Sequence, residues 1–80
     1  MEELTGFVNG NMNRRKVLEI LQSKEATEPK RIAKIARLIP AATNQIIAEL
    51  EANGLVQKAD GEKIELTETG KVIIDFTRAL

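Results

Sequence analysis

The chain has 80 residues and a mass of 8.9 kDa, room for one small domain. Twelve Lys and Arg balance twelve Asp and Glu, and 42% hydrophobic against 30% charged residues describes a globular chain, not a disordered one. Cys and His are both missing, which excludes a disulfide framework, a Cys-type zinc site, a thiol nucleophile and an imidazole base. Any catalytic site would rest on carboxylates, Lys and the single serine, Ser23, so a non-enzymatic protein without cofactor or metal is expected. Two Phe without Trp or Tyr offer no stacking platform for single-stranded nucleic acid. No apolar run approaches the ~18 residues of a membrane span. The opening MEELTGFVNG lacks the basic and apolar regions of a secretory signal, so a cytoplasmic protein with no membrane partner is expected.

Charge is distributed unevenly. Residues 1–40 hold eight basic residues against five acidic ones, and residues 41–80 hold four against seven. This polarity either presents a basic face to an anion or pairs the two halves with each other.

Residues 1–12 read as an irregular N-terminal arm that docks through Leu4, Phe7 and Val8, with Gly6 and Gly10 as breakers. A domain then fills residues 13–80. Val17, Leu18, Ile20 and Leu21 recur at helical spacing and predict a helix over about 13–23, capped by Asn11 or Asn13. Thr27-Glu28-Pro29 opens a second helix over 28–37, with Thr27 as the cap and Pro29 tolerated in the first turn. Its apolar stripe is Ile32, Ala33, Ile35 and Ala36. Pro40 disfavours helical geometry at Ile39, so a third helix starts there and runs to Asn53. Thr43, Ile46, Ile47 and Leu50 share one face of it, and Gly54 ends it.

The period then shortens to about two. Residues 55–59 and 62–66 read as strands around Asp60-Gly61, a pair suited to a two-residue type I′ turn. That turn makes Lys58 and Lys63 cross-strand neighbours. Thr67 or Thr69 begins a last helix with Val72, Ile73, Phe76 and Leu80 on its apolar face. A tight link between the second and third helices, with Ala33 at their crossing, makes a helix-turn-helix, and the hairpin after it makes a wing. The fold class is α+β and mostly helical: a three-helix core, a β-hairpin wing and a C-terminal helix.

The stretch RIAKIARLIPAATNQIIAELEANGLVQKADGEKIELTETGK resembles the winged helix-turn-helix of MarR-type and ArsR-type transcriptional regulators, small archaeal members in particular. Ala33 sits at the small crossing position, Leu38 and Pro40 in the turn, and Ile47 and Leu50 at buried positions of the recognition helix. LEANGLV at 50–56 resembles the family's exit into the wing, and LTETG at 66–70 its opening of the final helix. The resemblance covers residues 13–80 and implies binding of double-stranded DNA, regulation of transcription and a homodimer. Three positions depart from the pattern. Arg37 stands where Gly is frequent, Ile39 stands where Ser or Thr caps the recognition helix, and residues 40–53 hold Glu49 and Glu51 but no Arg, Lys or Ser. A winged helix that binds a protein partner in a transcription or RNA-processing assembly is the competing expectation.

In the DNA reading, Asn44 and Gln45 face away from the apolar stripe, where each suits adenine N6 and N7 in a major groove. Ala41 and Ala42 are short enough to let the helix approach base edges. Lys30 and Arg31 open the second helix, and Lys58 and Lys63 flank the wing turn; all four are candidates for backbone phosphates. Each feature also reads as ordinary polar surface or helix propensity. Arg14, Arg15 and Lys16 read as a solvated face or as a site for an anionic partner. The C-terminal stripe is wider than one core face needs, so Ile73, Phe76 and Leu80, with Leu4 or Phe7, are expected to form a dimer seam.

Overall fold

The computed structural model describes residues 2–78. Five helices and one hairpin follow in the order α1 (Glu2–Asn9), α2 (Met12–Lys24), α3 (Pro29–Ala36), α4 (Pro40–Ala52), β1 (Val56–Lys58), β2 (Ile64–Leu66) and α5 (Glu68–Arg78). The predicted helix, helix, turn, helix, wing, helix order from residue 12 onward is the observed one.

The N-terminal segment is a helix and not an irregular arm. Glu2 and Glu3 lie in its first turn, where the helix dipole favours anions, and Thr5 and Val8 are buried one turn apart. Gly6 weakens a helix by only about 1 kcal/mol relative to Ala, which burying a valine side chain offsets at about 1.5 kcal/mol or more. The break falls at Gly10, whose amide donates to the Gly6 carbonyl at 2.8 Å. Asn11 then caps α2, its side chain accepting from the amides of Asn13 and Arg14 at 2.8 and 3.4 Å.

Thr27 does not cap α3. It forms an isolated antiparallel bridge with Ile64, with amide-to-carbonyl bonds of 2.9 and 2.8 Å in the two directions, and so adds a short third element to the wing. The residue that flanks α3 is Glu28, which makes no side-chain cap. Thr27 is buried, and its hydroxyl donates to the Glu25 carbonyl. That turn holds Glu25 at φ 63° and ψ −146°, a conformation otherwise reserved for glycine.

At the helix-turn-helix corner Arg37 is left-handed at φ 59° and ψ 45°, the position where glycine is usual. Its amide donates to the Lys34 carbonyl and the Leu38 amide to the Ala33 carbonyl, which satisfies two of the last four carbonyls of α3. Ile39 is extended and provides no side-chain cap, so α4 starts on Pro40, whose missing N–H needs none.

The wing differs from the predicted hairpin by one residue of register. Val56 pairs with Leu66, Gln57 with Glu65 and Lys58 with Ile64. The Ala59 amide bonds the Lys63 carbonyl, leaving a three-residue loop in which Gly61 alone has positive φ. A two-residue turn at Asp60-Gly61 would have set Val56 against Glu65 and exposed an apolar side chain. The observed register puts Val56, Ile64 and Leu66 together on the buried face. Lys63 therefore opposes Ala59, and Lys58 and Lys63 are not cross-strand neighbours.

Behind α4, two sequence motifs meet in space. Thr67 caps α5 by accepting from the Gly70 amide at 2.9 Å, while its own hydroxyl donates to the Gly54 carbonyl and its amide to the Leu55 carbonyl. The exit of α4 and the entry of α5 are thus one joint. The core joins Leu18, Ile32, Leu50, Leu55, Ile73 and Ile74, all fully buried. Ile73 therefore packs inside the chain's own core and is not available to the predicted dimer seam. No helix among the described residues is long and apolar enough to cross a membrane.

Candidate nucleic-acid interface

Helix α4 buries Thr43, Ile46, Ile47 and Leu50 against the core. The helical period then turns Ala41, Asn44, Gln45 and Ala48 outward, and all four are exposed, with Ala42 half-buried on the flank. Three of the four α4 residues predicted to read bases, Ala41, Asn44 and Gln45, thus share the outer side of the helix, and Ala42 lies at its edge. Glu49 lies on the flank beside Ala42. It is held by Arg14, whose Nε lies 3.3 Å from the Glu49 carboxylate, so its charge is compensated within the chain. Glu51 remains exposed on the opposite flank.

Along α3 runs an open groove. Its charged lining is Lys24, Lys30, Arg31, Lys34 and Lys63, against one acid, Glu28, and its apolar lining includes Ala26, Ala33, Ile35, Leu38 and Pro40. None of the five cations forms an ion pair among the described residues. Pro40, the first residue of α4, also lines the groove, so the groove reaches the start of the candidate reading helix. Lys30, Arg31 and Lys63, predicted from separate elements, come together here. Lys58, exposed on β1, is not among the groove's side chains. Lys24 and Lys34 were not singled out from the sequence. Lys34 was legible as one turn on from Lys30 and Arg31, whereas only the folded chain brings the end of α2 beside the wing.

The run Arg14-Arg15-Lys16 serves the fold. The Arg14 guanidinium lies 4.0 Å from the centre of the Phe7 ring and donates to the Phe7 carbonyl at 2.9 Å. Arg15 lies 3.8 Å from Glu19 and bonds Asn9, and the Lys16 ammonium donates to the Ala36 carbonyl at the end of α3. Three of the eight cations of the first half are therefore engaged within the chain, and the groove holds four of the remaining five.

Among the described residues, the large apolar side chains open to solvent are Met12 and two pairs. Ile35 and Ile39 are 41% and 69% exposed at the helix-turn-helix corner. On α5, Val72 and Phe76 are 47% and 44% exposed, one turn apart. Phe76 is thus the predicted seam residue that remains at the surface, while Leu4 and Phe7 are partly buried against the core. Leu80 lies outside the described residues. Among the described residues no group of His, Cys, Asp or Glu is arranged to hold a metal ion.

No family model and no curated protein matches the sequence. Solved structures do match. RV1404 from Mycobacterium tuberculosis superposes with a TM-score of 0.85 at 18% identity, covering 94% of this chain and 56% of that one. A MarR family transcriptional regulator from Silicibacter pomeroyi gives 0.81 at 19% identity, over 98% of this chain and 61% of its own. A MarR family regulator from Neisseria meningitidis gives 0.78 at 24% identity, over 96% and 59%. The chain thus spans a little over half the length of these proteins. What the superpositions establish at such identities is architecture: the chain has the winged helix-turn-helix fold of MarR family regulators.

Proposed function

We propose that this chain binds double-stranded DNA sequence-specifically, in the cytoplasm, as a homodimeric transcriptional regulator without catalytic activity. The observation that carries this reading is the convergence of Lys24, Lys30, Arg31, Lys34 and Lys63 in one groove that reaches the start of α4. A chain of zero net charge attracts a polyanion only through such a local patch. The groove cations would take backbone phosphates and set register, and α4 would enter the major groove. Helix α4 offers no cation to guanine, so reading falls to Asn44 and Gln45 on adenine, with Ala41 and Ala42 close to thymine methyls. A preference for A·T-containing sites follows. The exposed Val72 and Phe76 of α5 supply the apolar face for a second copy.

The exposed Ile35 and Ile39 support the second reading, a protein-binding winged helix, because bare isoleucines flanked by cations also suit an acidic partner with apolar residues. Selection from a random duplex pool separates the two. The DNA reading predicts enrichment of A·T-containing sites and loss of that enrichment in Asn44→Ala or Gln45→Ala. No binding to any duplex below about 100 µM at ~50 mM salt, near the weak end of non-specific affinity, would leave the protein-binding reading in its place.

A further inference from the structure

Arg14 touches three helices at once. It belongs to the first turn of α2, stacks on the ring of Phe7 in α1 at 4.0 Å, donates to the Phe7 carbonyl at 2.9 Å, and meets Glu49 of α4 at 3.3 Å. Each contact has a physical reason. Helix α1 carries no basic residue in its own last turn, so the guanidinium supplies the cation that the C-terminal end of a helix dipole favours. The planar fork of Arg allows stacking on a ring while its edge donates in two directions, which an ammonium cannot reproduce. The side chain is 21% exposed, so both the stack and the ion pair are only partly screened by water.

Glu49 is one helical turn after Gln45 and lies at the edge of the exposed face of α4. Successive residues differ by about 100° around a helix axis. Holding Glu49 therefore limits the roll of α4, and roll decides where the amides of Asn44 and Gln45 point. The core contacts of Ile46, Ile47 and Leu50 fix the opposite side of the same helix but are apolar and non-directional.

We infer that Arg14 is a positioning residue for the reading face of α4, and that through it the placement of α1 is coupled to the orientation of Asn44 and Gln45. This rests on the DNA reading for its functional consequence but not for its structural one. Lys16, two residues on, bonds the terminal carbonyl of α3, so α2 holds both helices of the helix-turn-helix by cationic side chains.

The test compares the full chain with Arg14→Lys, which keeps the charge and loses the fork, and with Glu49→Gln, which removes the ion pair from the other end. Two readouts are taken. In solution NMR without DNA, the amide resonances of Asn44, Gln45 and Ala48 are expected to shift in both variants. Shifts confined to residues 7, 10–18 and 49–50 would overturn the inference. In titrations of the selected duplex against a scrambled one, the ratio of affinities is expected to fall about three- to tenfold, within the range of coupling mutations, with the salt dependence unchanged. An unchanged ratio alongside a lower melting temperature would show a merely structural role and overturn it. If Arg14→Lys fails to fold, Glu49→Gln decides alone. If the wild type binds no duplex, the DNA reading fails, and the NMR comparison still decides whether Arg14 positions α4.

Discussion

Replacing Gly70 by alanine should destabilise the domain severely, although alanine is the better helix former. Gly70 is in the first turn of α5, and its amide is capped by Thr67 at 2.9 Å. A β-carbon there would overlap the Leu55 carbonyl oxygen, and would stand 3.1 Å from the Leu55 carbonyl carbon and 3.3 Å from Leu66 Cδ2. The first obstacle is backbone, so no rotamer change relieves it. Helix α5 must retreat from the chain leaving α4, which strains the Thr67 amide bond to the Leu55 carbonyl at 3.1 Å and the Thr67 hydroxyl bond to Gly54 at 2.6 Å. Overpacking costs about 1–3 kcal/mol, and two weakened hydrogen bonds add about 1 kcal/mol each. Alanine returns about 1 kcal/mol of helix propensity. The net cost is about 3 kcal/mol, a large share of the roughly 4–12 kcal/mol expected of an 80-residue domain. For a domain this size it corresponds to a fall in melting temperature of about 12–24 °C.

Gly6→Ala is the internal control. Gly6 is also helical and exposed, but open space surrounds its β position. The same chemical change should there raise stability by about 0.5–1 kcal/mol. Thermal and urea unfolding followed by circular dichroism measure both. A Gly70→Ala protein as stable as the wild type, or two variants that shift in the same direction, would refute the close approach of Leu55 to α5.

Four further outcomes follow from the same geometry. Glu25→Gly should stabilise the domain by about 1 kcal/mol, because the relieved φ 63°, ψ −146° conformation costs about 1–3 kcal/mol and glycine forfeits about 0.4–1 kcal/mol through the unfolded chain; unfolding titrations check it, and a destabilised variant would contradict it. Lys34→Ala or Arg31→Ala should weaken binding to all duplexes alike and flatten the slope of log affinity against log salt by about one unit, read by anisotropy titration; Lys58→Ala, outside the groove, should change that slope less. Gln45→Ala or Asn44→Ala should cost about 1–3 kcal/mol on the preferred site alone, and an equal loss on scrambled duplex would remove that side chain from base reading. Phe76→Glu should convert a dimer into a monomer near 8.9 kDa in sedimentation at high micromolar concentration, and a wild type already monomeric there would contradict the α5 seam.

Where local signals and burial agreed, the sequence was readable. Apolar periodicity placed α2, α3, α4 and α5 to within a residue or two, and Pro40 and Gly54 marked the ends of α4. LEANGLV and LTETG were legible as motifs, but the contact that unites them, Thr67 and Gly70 against Gly54 and Leu55, exists only in the folded chain. The misreadings share one cause, tertiary burial overriding a local preference. Gly6 signalled a break, yet burial of Thr5 and Val8 kept α1 helical. Asp60-Gly61 signalled a two-residue turn, yet the need to bury Val56 with Leu66 chose the longer loop. Thr27 signalled a cap, yet it was recruited by the wing. Of the candidate site, the outward residues of α4 followed from helical period alone. The groove did not, because it gathers Lys24, Lys34 and Lys63 from three elements, and because the roles of Arg14 and Lys16 depend on partners 35 and 20 residues away.

In the proposed function, a molecule of zero net charge binds DNA through one basic groove. The salt dependence of wild-type affinity for duplex DNA, from ~50 to ~200 mM, tests it most directly. Five groove cations on phosphates predict a slope of about −4 to −5 per subunit, at about −0.9 per contact. Absence of duplex binding below about 100 µM at the low-salt end, or binding whose slope stays near zero, would contradict it.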